Sequence, residues 1–266
     1  MDHDGLPAGD LPGPRVALMQ PAFLPWQGFF GLVAAADVFV VLDDFQFQRH
    51  SYHQRNRIRL ADGSAAWVSL PVAHPQSGDY PTLADAAPLV DAKWRRRLKA
   101  TLDQSYGRAA HHAALRAPVD EWIDTPWPSV AEMNTAFVRL VARTLGFDPQ
   151  WRTSSELGST GQRSARVLDL LRRTGARTYL CARGSYEYMH DDALFPVDDV
   201  EVVFQCFEPQ PYAQRRATEF VSHLSVLDAL FEVGPDATRE LVLSGQRAWT
   251  PWRAMPAMTA ATRAEP

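Results

Sequence analysis

A chain of 266 residues is long enough to bury the core of one large α/β domain, and 46% hydrophobic with 22% charged residues is an ordinary globular composition. Its 31 acidic and 27 basic side chains leave a formal charge of −4, which removes any global attraction to nucleic acid. Two cysteines, Cys181 and Cys206, cannot build a disulfide framework or a four-ligand zinc site alone, and no stretch approaches the roughly 18 apolar residues of a membrane span.

Residues 1–14 contain six Gly or Pro and no hydrophobic period, so a disordered tail is expected. The acidic start, unlike the basic and then apolar start of a secretory leader, points to the cytoplasm. Residues 16–19 and 38–42 are apolar runs of strand length and read as buried strands. Between them, residues 20–27 carry two prolines and form a loop, while residues 28–36 are short, apolar and free of proline, as suits a helix packed on a sheet. Residues 57–60 and 65–70 flank Ala61-Asp62-Gly63-Ser64, where Asp-Gly supplies the positive φ of a tight turn, so a β-hairpin is predicted. Residues 72–90 read as a long irregular loop.

A helix is predicted over 93–105, with Trp94, Leu98 and Leu102 on one stripe. Another follows Ser129 and Glu132, a capping box ahead of Met133, Phe137, Leu140 and Val141, and stops at Gly146. Residues 91–150 are thus a helical insertion. Ser159 and Gln162 repeat the capping pattern before a helix ending at Gly175. A strand at 178–182, a glycine-containing loop at 183–188, a strand at 200–207 and a helix over 225–233 follow. Three prolines and no sustained apolar period make residues 241–266 a second disordered tail, leaving one α/β domain at 15–240 with a mostly parallel central sheet.

The segments MQPAFLPWQGFF, DVFVVLDDFQFQ, QRNRIRL and WVSLPV, followed by YLCARGSYEYM, PYAQ and LSVLDALFEVG, resemble the WbqC-like family in kind and order over roughly residues 15–236. Members resembling this occur among genes for surface polysaccharide and specialised metabolites, which implies a biosynthetic setting. The first of these segments is also similar in layout to the first motif of the H-x-G-H nucleotidylyltransferases, implying a nucleotidylyltransferase (HUP-like) arrangement of the sheet. Trp26 or Gln27, and then Phe29, stand where that family has its two histidines, and the segment is one residue shorter, so imidazole-assisted adenylyl transfer does not carry over.

Four polar constellations follow the predicted strands. Gln20 opens a strand-to-helix turn through Pro25 to Gly28, where a helix N-terminus would favour an anion; the prolines and aromatics also simply shape a turn. Asp43 and Asp44, followed by Gln46, end a buried strand and could act as a base, hold an amine or bind Mg²⁺. Neighbouring side chains on an extended chain point apart, so one of the pair faces a given ligand and the other is free to cap a turn or pair with Arg55 or Arg57. Arg49, Arg55, Arg57 and Arg59, with Asn56, make a basic stretch suited to phosphate or carboxylate or to plain solvation, while His50 and His53 lack a third metal ligand. Gly184, Ser185 and Tyr188 lie on the loop after the 178–182 strand, at the crevice side of an α/β sheet. Tyr212 and Gln214 belong to the family pattern, as do Ser225, which also suits a helix N-cap, and Asp228.

The expected function is a cytoplasmic enzyme transferring an acyl, aminoacyl or nucleotidyl group to an amino sugar or specialised-metabolite intermediate. Asp43 and Asp44 are the catalytic candidates, and the other polar residues bind a small anionic or amine-bearing substrate. The cofactor and oligomeric state stay open, a nucleotide with Mg²⁺ being the cofactor considered, and no metal site is assigned. The rival is a non-catalytic small-ligand or RNA-binding protein. If the 38–42 and 178–182 strands are neighbours in one parallel sheet, residues 43–57 and 183–188 should face each other across a cleft.

Overall fold

The computed structural model describes residue 6 and residues 8–73 and 80–255. Strand β1 (Arg15–Met19), helix α1 (Gln27–Ala35) and strand β2 (Val38–Val41) form the first unit, followed by a hairpin of β3 (Arg55–Arg59) and β4 (Ala65–Ser69). Helices α2 (Ala92–Tyr106), α3 (His112–Asp124) and α4 (Val130–Thr144) make up the insertion. The second half runs through β5 (Gln150–Thr153), α5 (Ser154–Leu157), α6 (Arg163–Arg173), β6 (Thr178–Cys181), α7 (Tyr186–Asp191), β7 (Glu201–Phe207), α8 (Val226–Gly245) and β8 (Gln246–Pro251).

Six strands form one sheet in the order β5-β2-β1-β6-β7-β8, parallel except for β8. Strands β2 and β6 are buried at every position because helices cover both faces. Alternate side chains divide between two cores. Ala17, Phe39, Val41, Leu180 and Val203 pack with Phe29 and Phe30 of α1, Phe137 of α4 and Phe231 of α8. Val16, Leu18, Val40, Tyr179 and Cys181 pack with Val167, Leu170 and Leu171 of α6 and Met189 of α7. The chain builds outward from β1 to β5, then returns to the other side of β1, so its order reverses between β1 and β6. All five parallel strands end at one edge, where such sheets hold ligands.

The predicted strands, hairpin and capped helix occupy their expected places; Ser129 Oγ accepts the Glu132 amide at 3.1 Å. Three expectations about the chain between these elements are corrected. The segment predicted as a loop at 183–188 is a 3₁₀ turn, Arg183–Ser185, running into α7. Ser159 does not cap α6: Gln162 holds that position without a side-chain cap, and Ser159 Oγ instead accepts Arg166 Nε at 2.9 Å. The helix expected to end at Gly234 does break there, at φ 83°, but resumes at Pro235 and continues to Gly245.

Both expected tails contribute packed residues. Trp249 of β8 is fully buried and exchanges backbone hydrogen bonds with Leu6 at 2.9 and 3.1 Å, and Leu11 is buried. One fully enclosed indole anchors a segment whose proline content reads as disorder. Residues 1–5, 7 and 256–266 of the expected tails, and 74–79 of the expected long loop, lie outside the described residues.

Candidate functional site

Leu42 continues β2 by donating its amide to Met19 O at 2.9 Å, which places Asp43 at the first position beyond the sheet edge. Because β5 pairs with β2 in register Val41↔Thr153, the residues after Thr153 lie beside Asp43. Asp43 Oδ1 accepts Ser154 Oγ and the Ser155 amide, each at 3.0 Å, and Oδ2 accepts Ser155 Oγ at 2.5 Å. Asp44 meets the same Ser154 hydroxyl, whose single proton lies between the two carboxylates, and pairs with Arg166, whose guanidinium sits 4.6 Å over the Phe45 ring. The partner of this acidic pair is therefore Arg166 of α6, not Arg55 or Arg57.

Asp43 also faces a cleft of about 440 Å³ along α4. Glu132, Thr135, Arg139, Arg143 and Thr153 line it, so acceptors and guanidinium donors converge on one space. Arg139 lies 5.3 Å over Trp151, and its buried Nε has no hydrogen-bond partner. Among the described residues no three His, Cys, Asp or Glu side chains are grouped to hold a metal. Asp43 and Asp44 do not fit Mg²⁺ as they stand, since serine donors occupy one carboxylate and Arg166 already neutralises the other.

The remaining predicted residues are distributed along and behind the same edge. Gln20 Oε1 accepts His53 Nε2–H at 2.9 Å, while His53 Nδ1 accepts the Gln48 amide at 3.2 Å. Burial holds His53 neutral, with its pKa lowered to about 4. Asn56 is buried and donates to Leu24 O at 2.8 Å, clamping the turn after β1, and Pro25 O accepts the Val226 amide at 2.9 Å. Gly28 makes room for a side chain of this protein: a Cβ there would lie 2.3 Å from the Trp26 indole, which stacks on His223 at 4.7 Å. The indole thus packs over the helix start proposed to receive an anion. Arg57 donates to Ser222 O at 3.1 Å, Arg55 lies 4.6 Å over Trp67, and Gln46 donates to Tyr80 O at 3.4 Å.

Tyr212 and Gln214 face inward onto Asp228, which is fully buried. Tyr212 Oη donates to its Oδ2 at 2.7 Å and Gln214 Nε2 at 2.9 Å, while Arg59 Nε reaches Oδ1 at 3.2 Å. Arg59 also pairs with Glu232, which Arg215 contacts at 3.2 Å. Burial, then the Asp228 charge, raise the Tyr212 pKa far above its usual range. Ser225 Oγ accepts the Leu227 amide at 3.3 Å, as a helix cap. Several of the late motifs thus form an interior ion network that ties the 212–225 segment to the hairpin and α8.

Gly184 is exposed, and nothing lies within 4 Å of a Cβ added there. Burial raises the Tyr188 pKa to about 12, with Ser185 and Tyr179 as hydrogen-bond neighbours, and burial also pushes the Cys181 thiol up, away from nucleophilic thiolate. Strand β1 stands between β2 and β6, so Asp43 and Gly184 leave the same sheet edge without being on neighbouring strands. Ser154, Ser155, Arg139, Arg143 and Arg166 were not singled out by the sequence reasoning. Glu132, Thr135, Arg139 and Arg143 do recur at helical spacing, but that stripe reads equally as a solvated face.

The chain matches the WbqC-like protein family over residues 20–240, from Gln20 beyond β1 into α8, a span that includes both the Asp43 cleft and the Asp228 network. The chain belongs to this family. This WbqC-like protein is also 26% identical over 233 residues to "Uncharacterized protein Rv1507c" of Mycobacterium tuberculosis (strain ATCC 25618 / H37Rv), covering 84% of this chain and 95% of the relative. No solved structure matches it. Among its described residues no helix is long and apolar enough to cross a membrane.

Proposed function

We propose that this WbqC-like protein is a cytoplasmic biosynthetic enzyme that transfers an acyl, aminoacyl or nucleotidyl group to the amine of an amino sugar or specialised-metabolite intermediate. The observation that carries this reading is Asp43, oriented by Ser154 and Ser155, facing a cleft it shares with Arg139 and Arg143. The order β5-β2-β1-β6-β7 in parallel strands supports a nucleotidylyltransferase (HUP-like) arrangement, with Gln20 near the reversal point.

In this mechanism Asp43 accepts a hydrogen bond from the substrate amine and Arg139 and Arg143 hold its anionic group, fixing the nitrogen for attack. As nitrogen bonds to the carbonyl carbon or phosphorus of the donor, the bond to the donor's leaving group breaks. The amine proton passes to the Asp43 carboxylate and then to the leaving group. Asp44 acts on position only, through Arg166 and Ser154.

A thermal-shift and calorimetric screen of amino sugars, nucleotide sugars, nucleotides and amino acids tests the reading. An amine-bearing anionic metabolite should bind, and Asp43→Asn or Arg139→Gln should each weaken it by about tenfold or more, the scale of one charge-assisted hydrogen bond. Binding of every such metabolite equally by wild type and Asp43→Asn, or of none by wild type, would sink it.

One observation favours the rival reading of an RNA-binding protein. Tyr52 and Trp67 are exposed 6.1 Å apart on the hairpin side, with Arg55 over the Trp67 ring, an aromatic and basic grouping that could stack bases. RNA affinity that falls steeply with salt would support it; no binding at low salt removes it.

A further inference from the structure

We infer that a second cleft, away from Asp43, binds a polyvalent oxyanion on a small molecule through Arg108 and Arg216. This cleft of about 480 Å³ opens where the end of α2, the turn of the hairpin and the 215–216 segment meet. Arg59, Asp103, Ser105, Arg108, Arg215 and Arg216 line it. None of its lining residues lines the Asp43 cleft, so it stands independently of the proposed reaction.

The charges around it do not balance. Asp228 and Glu232 are matched by Arg59 and Arg215, and Asp103 is paired with Arg116. Arg108 and Arg216 line the same space with no carboxylate partner among the described residues. Arg216 commits Nη1 to Ala61 O at 3.1 Å, which fixes the guanidinium at the rim and leaves its other nitrogens for a ligand. Ser105 adds an independent sign: it is 5% exposed, lines the cleft, and its hydroxyl has no hydrogen-bond partner. A buried hydroxyl without a partner is costly, and a bound oxygen atom would relieve it after a small side-chain rotation.

Two guanidinium forks and a hydroxyl suit the tetrahedral or trigonal oxygens of phosphoryl and carboxylate groups. The volume exceeds that of inorganic phosphate and accommodates a small metabolite carrying the anion.

Calorimetric titration of the full chain with pyrophosphate and, separately, with citrate tests the site. One saturable site is expected, and Arg108→Gln and Arg216→Gln should each weaken it by about tenfold, the loss of one charge-assisted contact, without shifting the unfolding temperature of the unliganded protein. A preference for pyrophosphate would identify the ligand as phosphorylated, and one for citrate as a polycarboxylate; either result supports the site. No saturable heat with millimolar concentrations of both anions overturns it. So does binding that survives both arginine variants and disappears in Asp43→Asn.

Discussion

Asp228→Ala is expected to lower unfolding free energy by about 3–5 kcal/mol, the cost of removing one member of a buried, hydrogen-bonded ion network. The carboxylate is fully buried and accepts from Arg59, Tyr212 and Gln214. Its removal leaves the Tyr212 hydroxyl without its carboxylate acceptor, Gln214 Nε2 donating only to Val221 O, and an almost fully buried Arg59 guanidinium held by Glu232 and Arg215 O with its Nε unpaired. Urea denaturation at neutral pH should therefore show a large drop in midpoint with little change in slope. Asp228→Asn, which keeps one acceptor oxygen, should fall between. The exposed pair of Arg172 and Asp199 supplies the contrast, and Asp199→Ala should leave the midpoint close to wild type. If both alanine variants behaved alike, the interior network would not be what secures the 212–225 segment.

Acid should destabilise the protein through His53 before carboxylates protonate. Its folded pKa of about 4 lies below the ordinary value of 6.5, because burial disfavours the charged ring. The Gln48 amide already donates to Nδ1, so a proton there would face another donor. The unfolded chain therefore binds the proton more readily, and stability present above pH 6.5 is lost as pH falls toward 4. Between pH 7 and pH 5 the linkage amounts to about 2 kcal/mol. His53→Gln keeps a donor toward Gln20 and removes the titration. Urea midpoints at the two pH values should show a smaller pH dependence in this variant than in wild type, whereas equal dependence would mean that His53 does not titrate in this window. His112 and His223, whose pKa values burial also lowers, contribute with the same sign to both proteins and cancel in the comparison.

The parts of the fold legible in the sequence were those with a strong local signal: the β-branched run at 38–42, the Asp-Gly turn of the hairpin, and the Ser129 cap. Strand β5 escaped notice because Gln-Trp-Arg-Thr at a sheet edge has no fully buried residue. Strand β8 escaped because a single long-range contact, Trp249 with its neighbours, outweighs local proline content. The site shows the same limit. Asp43 was visible as a carboxylate closing a strand, but Ser154 and Ser155 become its partners only through the pairing of β5 with β2, over a hundred residues apart in sequence. Gly28 illustrates the opposite error: the glycine is required by a nearby indole, and sequence alone does not distinguish room for a ligand from room for tryptophan.

The joining of β1 to β6 sets the order in which the molecule can assemble. Residues up to Thr153 can complete β5-β2-β1, but the other side of β1 keeps its amides and carbonyls open until Val16 meets Tyr179 and Ala17 meets Leu180, more than half the chain away. Closing so long a loop before it gains contacts slows folding. During that wait the open edge of β1 is also a template for β6 of a neighbouring molecule, in competition with the tethered β6 of its own chain. This seam is therefore the place where exchange between molecules would start at high chain concentration, even though the finished sheet buries it.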